Sequence, residues 1–110
     1  MNARILRVHI LESDRYQGKP LFEVIVAKCR ELKIAGATVF RGLEAYGETA
    51  ELHRAHLVRH DQPIVMVIVD TPENLDRLLP AIEPMIPTGV LATSDVEMIR
   101  VENPRREPDA

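Results

Sequence analysis

The sequence predicts an α+β domain of ferredoxin-like type, ordered βαββαβ, with a four-stranded antiparallel sheet that carries two helices on one face. Three observations lead there. Short apolar segments with a period of two recur at residues 5–11, 37–41, 64–69 and 90–101. Two segments with helical periodicity, beginning at Pro20 and Pro72, separate them in the split βαβ order. The run Ile64-Val65-Met66-Val67-Ile68-Val69 is apolar at every position, so that strand is covered on both faces.

The first strand spans Ile5 to Leu11, with Leu6, Val8 and Ile10 on one face and Arg7 and His9 on the other. Residues 12–19 form a polar connection containing Gly18. Pro20 suits a first helical turn, and Leu21, Ile25, Cys29 and Leu32 recur at helical spacing, widened by Phe22 and Val26. Lys28, Arg30 and Lys33 gather near the negative end of the helix dipole, and Gly36 is the expected stop. A second strand covers Ala37 to Arg41, and a loop rich in Gly, Glu and Thr covers Leu43 to Glu51. Leu52 to Val58 reads as extended, and residues 59–63 read as a turn or bulge before the central strand.

Thr71 is the expected N-cap of the second helix, with Pro72 at its first position and Glu73 at the positive dipole end. Leu75, Leu78, Leu79, Ile82 and Ile86 form its apolar stripe. Pro80 and Pro84 each remove a backbone donor, which predicts a kink near Pro80 or an early end. After the turn Pro87-Thr88-Gly89, a last strand is expected in two pieces, Val90–Ala92 and Val96–Val101, interrupted at Thr93-Ser94-Asp95. The domain is expected to span 1–102, with 103–110 as a polar, disordered tail.

With helices for one face only, the second face of the central strand needs another cover, and a second copy of the chain is the expected one. Burying Val65, Val67 and Val69 is worth about 1.5–3 kcal/mol each. The chain has 110 residues, a net charge of -3 and only 4% aromatics. The same strand order occurs in RNA-recognition domains, but Phe40 is the only strand aromatic and the chain is acidic, so no nucleic-acid partner is expected. One cysteine, Cys29, precludes an internal disulfide or a CxxC motif and reads as a buried thiol. No apolar run reaches membrane-spanning length and nothing resembles a signal peptide, so a cytoplasmic protein that is not itself embedded in a membrane is expected.

Several residues invite chemistry. Arg41, beside Gly42, reads either as an anion contact at a cleft between copies or as one half of a salt bridge. Gly42 and Gly47 either let backbone approach a ligand or serve turn geometry. His53 and His56 would point to opposite faces of an extended segment, so no metal site is expected from them or from nearby His60 and His9. Glu12, Ser13 and Asp14 supply acids at a strand end without a nucleophile or positioned base, and no enzyme activity is expected. Arg4, Arg7 and Arg100 read as a basic pocket wall or as partners of acids such as Glu97 and Glu102.

The segments Leu11-Glu12-Ser13-Asp14, Gly18-Lys19-Pro20-Leu21, Ala35-Gly36-Ala37-Thr38-Val39-Phe40-Arg41-Gly42 and Ile68-Val69-Asp70-Thr71 together resemble the PII-like family catalogued as domain of unknown function 190, up to about Val101. The resemblance implies a ferredoxin-like homotrimer related to PII signal transducers and to CutA. Some members are encoded beside fluoride exporters, which implies a membrane transporter or another protein as partner. In PII proteins adenine nucleotides occupy clefts between subunits and a long loop touches targets. Gly36 and Thr38 resemble the Gly-x-Thr that lies near the adenine; Gly42 and Gly47 resemble the glycines at the base of that loop; Thr88 and Gly89 resemble the Thr-Gly before the phosphate-contacting turn. There PII carries Gly-Asp-Gly-Lys, whereas this chain carries Ala92-Thr93-Ser94-Asp95-Val96. With no lysine and with an aspartate, the segment is unsuited to a triphosphate. The resemblance therefore implies a non-enzymatic regulator that takes AMP, ADP or another small anion and contacts a partner through the 43–51 loop. The alternative it leaves open is a CutA-like structural or metal-linked trimer without a nucleotide.

Overall fold

The computed structural model describes residues 1–46 and 61–104. Its elements are β1 (Asn2–Leu11), β2 (Arg15–Tyr16), β3 (Lys19–Pro20), α1 (Leu21–Glu31), β4 (Ala37–Arg41), β5 (Pro63–Asp70), α2 (Pro72–Ile82), a 3-10 turn (Glu83–Met85) and β6 (Val90–Glu97). The main sheet has the order β4-β5-β1-β6, every neighbour antiparallel. This is the predicted ferredoxin-like arrangement, with a small β2–β3 hairpin added between β1 and α1. Gln17 and Gly18 at the hairpin turn have φ of 50° and 80°, the positive values a tight two-residue turn needs.

The β1–β5 register places Leu6 opposite Ile68, Val8 opposite Met66 and Ile10 opposite Ile64. These six side chains form the sheet's contribution to the core, under Leu21, Ile25 and Cys29 of α1 and Leu75, Leu78 and Ile82 of α2. Cys29 is buried and unpaired, and burial pushes its thiol pKa up to about 11. The other face carries Ile5, Arg7 and His9 of β1, Val65, Val67 and Val69 of β5, Thr38 and Phe40 of β4, and Val90, Ala92 and Ser94 of β6. No described element packs over it, and Phe40 remains 53% exposed.

Helix α1 begins at Leu21, one residue after Pro20, and its first N–H donates to the carbonyl of Asp14 at 2.9 Å. It does not run to Gly36. It stops at Lys33, whose φ of 59° turns the chain so that Lys33 N–H reaches the Arg30 carbonyl and Ile34 N–H reaches the Cys29 carbonyl. That pair of bonds is a Schellman ending, and buried Ile34 supplies its apolar contact. A lysine holds the place that glycine usually takes, because Ile34 and the Cys29 carbonyl fix the turn from either side.

Thr71 caps α2 as expected: its Oγ1 accepts from Asn74 N–H at 3.2 Å. The chain remains helical through Pro80 to Ile82. Pro80 lies in the last turn, where one missing donor interrupts little, and Pro84 falls in the 3-10 turn beyond it. The last strand also departs from the expectation. It is unbroken from Val90 to Glu97, with Thr93, Ser94 and Asp95 pairing opposite Leu6, Ile5 and Arg4, and it does not extend to Val101. An edge strand exposes such polar side chains without cost, and β6 ends where β1 runs out, at the Asn2–Glu97 pair.

Candidate functional site

The loop that follows β4 leaves and returns through a fixed base. Gly42 N–H donates to the Pro63 carbonyl at 2.7 Å, and a Cβ at Gly42 would stand 2.9 Å from Pro63 Cγ. One strand further in, Glu12 N–H donates to the Gln62 carbonyl at 2.9 Å and Ser13 N–H to Asp61 Oδ1 at 3.1 Å. Arg41, the last residue of β4, reaches across β5 to form an ion pair with Glu12. Within the chain Arg41 is thus paired with an acid, and its guanidinium lies at the loop base. Beyond Gly42, Leu43 and Tyr46 are 99% and 87% exposed. Gly47, the rest of the 43–51 loop, the 52–58 segment and His53, His56 and His60 lie outside the described residues. Among the described residues no three metal-ligating groups come together.

Gly36 and Thr38 sit at the opposite end of β4. The Ala35 N–H just before them donates to Asp70 Oδ2 at 2.8 Å, while Asp70 Oδ1 accepts from Thr71 N–H at 2.6 Å and from Asn74 Nδ2 at 2.9 Å. Asp70 is only 5% exposed. Burial alone would raise its pKa, but these three donors and nearby Arg77 outweigh it, and the carboxyl is held below the usual 3.8. Arg77 donates to the Leu32 carbonyl and to Asn74 Oδ1, both at 2.9 Å, so the network joins the end of α1 to the start of α2. Gly36 has open space where a Cβ would be, and Thr38 is exposed on the face without helices.

Thr88 and Gly89, both exposed, precede β6. Gly89 has no room for a side chain: a Cβ there would lie 2.7 Å from the His9 carbonyl oxygen and 3.0 Å from Ile86 Cγ2. The backbone of this turn is pressed against β1, and glycine alone permits it.

Arg41 and Gly42 therefore share one end of the sheet with Thr88 and Gly89, but on opposite edges; Gly36 and Thr38 lie along the β4 edge. Three strand spacings, about 14 Å, separate β4 from β6, so a single chain does not assemble these residues into one pocket. The basic wall also divides. Arg4 points to the helix side and pairs with Asp76 and Asp95, each at 3.3 Å; Arg100 pairs with Glu102 at 3.9 Å; Arg7 points to the open face. Three acids escaped sequence reasoning. Glu12 was not matched to Arg41, Asp70 was not seen as the anchor of Ala35, and Asp14 was not seen to fold back so that its Oδ2 accepts from Leu11 N–H at 2.8 Å. For Asp70 a signal existed: an acid directly before Thr-Pro at a strand end stands beside the open N–H groups of the helix it precedes.

Comparison with known proteins adds three findings. Residues 3–98 match the profile of DUF190, a family described as an uncharacterized ACR. A UPF0166 protein of Aquifex aeolicus is 33% identical over 101 residues, covering 90% of this chain and 95% of that protein; one from Methanocaldococcus jannaschii is 29% identical over 105 residues, covering 93% and 96%. Among solved structures, CPII of Thiomonas intermedia K12, described as a nitrogen regulatory PII-like protein, matches this fold. Its complex with ADP, AMP and bicarbonate superposes with a TM-score of 0.62 at 17% identity, covering 91% of both chains, and its complex with ADP, AMP and acetate with 0.60 at 19%, covering 90% of both.

Proposed function

This chain belongs to the DUF190 family, and from that premise we propose that it is a non-enzymatic, PII-like regulatory protein. It forms a homotrimer, binds AMP or ADP in clefts between copies, and meets a transporter or other protein partner through its 43–51 loop. The observation that carries this reading is the division of the candidate ligand residues between two edges of one sheet. Gly36, Thr38 and Arg41 belong to the β4 edge and Thr88 and Gly89 to the β6 edge, so a cleft made from all of them needs the β4 edge of one copy beside the β6 edge of the next. The apolar face spanning Val65, Val67, Val69 and Phe40 supplies the driving force for that contact.

Ligand size follows from the β6 segment. Asp95 stands there with Arg4 as its partner, and no lysine faces a terminal phosphate, which favours a nucleotide with fewer phosphates than ATP. CPII complexes with ADP and AMP support the choice of nucleotide. Isothermal titration with AMP, ADP and ATP, with and without bicarbonate, tests it. Saturable heat is expected from AMP or ADP and little from ATP. Absence of heat with all three nucleotides eliminates the nucleotide reading.

A further inference from the structure

Within the face that lacks helices, β1 contributes one permanent charge. Arg7 stands opposite Val67 of β5 and Ala92 of β6, between Ile5 and His9 along its own strand. It is half-buried, and among the described residues no acid pairs with it. Of the other arginines in the main sheet, Arg4 and Arg41 each have a carboxylate within reach, whereas Arg15, Arg30 and Arg77, which also lack one, are exposed to solvent. Nor does the described part of this face carry any aspartate or glutamate, its only other titratable side chain being His9.

In a single chain the Arg7 guanidinium keeps its water. Covering the face removes that water, and a second copy applying the described part of the same face brings another arginine and no acid. An uncompensated buried charge opposes association strongly. Guanidinium presents paired donors matched to a planar or tetrahedral oxyanion. We infer that assembly of this protein through its open sheet face takes up a small oxyanion, of the bicarbonate, sulfate or phosphate class, bound by Arg7. This rests on the self-association proposed above and adds its ionic requirement. The occupant of the face is a second copy of this chain, and the anion is the counter-charge that the described face of neither copy supplies.

Sedimentation equilibrium at pH 8 tests it. Sodium chloride is compared with sodium sulfate and with sodium bicarbonate at equal ionic strength, for the native chain and for Arg7→Leu and Arg7→Gln. Oxyanion at ten times its dissociation constant is expected to tighten native association about tenfold for each ion taken up. Arg7→Leu is expected to associate in chloride as tightly as the native chain does in sulfate, and to be indifferent to bicarbonate. Because sulfate also strengthens apolar contacts in general, the Arg7→Leu response measures that contribution and is subtracted. Native association with no preference between the salts overturns the inference, as does equal salt dependence in Arg7→Leu. If the native chain associates without oxyanion but Arg7→Gln does not, the counter-charge is a carboxylate of the other copy and the inference again fails. A native chain that stays single in every salt instead removes the self-association reading itself. Circular dichroism of Arg7→Gln and Arg7→Leu confirms that both variants fold.

Discussion

The two faces of β5 differ in what covers them far more than in what they are made of. On one side Ile64, Met66 and Ile68 are sealed beneath α1 and α2. On the other Val65, Val67 and Val69 are equally apolar, yet no described element lies over them. An antiparallel sheet with one wet face normally alternates apolar with polar residues. Here the alternation is missing in β5 and returns in its neighbours, at Arg7 and His9 of β1 and at Thr38 and Ser94 of the edge strands. A face composed in this way gains from being covered, and among the described residues no element covers it.

Substitutions on the two sides break this comparison most sharply. Leu78→Ala, under the helices, is expected to lower folding stability by about 2–5 kcal/mol through the cavity it leaves. Val67→Lys, on the open side, is expected to leave urea unfolding of the dilute chain nearly unchanged while abolishing association in the ultracentrifuge, since it would bury a second cation opposite Arg7. If Val67→Lys unfolds the dilute chain as Leu78→Ala does, the two faces are not distinct.

A smaller contrast concerns two glycines of the proposed cleft. Gly89→Ala forces a methyl group to within 2.7 Å of a backbone oxygen and is expected to cost about 1–3 kcal/mol. Gly36→Ala meets open space and is expected to change stability by less than about 0.5 kcal/mol. Any loss of nucleotide heat in Gly36→Ala then reports on the ligand and not on the fold.

The smallest effect sharpens the comparison at the end of β5. Asp70→Asn puts an amide where three donors meet and is expected to cost about 1–2 kcal/mol at neutral pH. Because the folded carboxyl titrates below its unfolded counterpart, its contribution is fully present above about pH 4 and disappears as pH falls through the lower folded value. Urea midpoints measured from pH 6 down to pH 2 should therefore fall less steeply for Asp70→Asn than for the native chain.

The architecture was legible because both periodicities are strong. The alternation in β1 and the unbroken apolar run in β5 required strands, and Thr71-Pro72 announced the second helix. Other features depended on neighbours that a linear reading does not supply. Two-residue strands such as β2 and β3 have no period to detect. Thr93-Ser94-Asp95 looks like a turn unless it is known to lie at an edge against a long β1. Nothing in a lysine marks it for the left-handed conformation at position 33; the closing bonds from Ile34 and Lys33 decide that. The candidate ligand residues were identifiable one by one, but their separation across the sheet follows from the strand order, and the pairing of Arg41 with Glu12 follows from the register of β1 and β5.

The clasp formed by Gly42 with Pro63, Glu12 with Gln62 and Ser13 with Asp61 has a consequence for how this chain can diversify. Both ends of the intervening segment are anchored by hydrogen bonds to the sheet, and for a flexible segment held in this way a doubling of length costs only about 0.6 kcal/mol of closure entropy. The anchors themselves belong to the sheet, so the register of β4 against β5 and of β1 against β5 is set independently of the length of chain that runs between them.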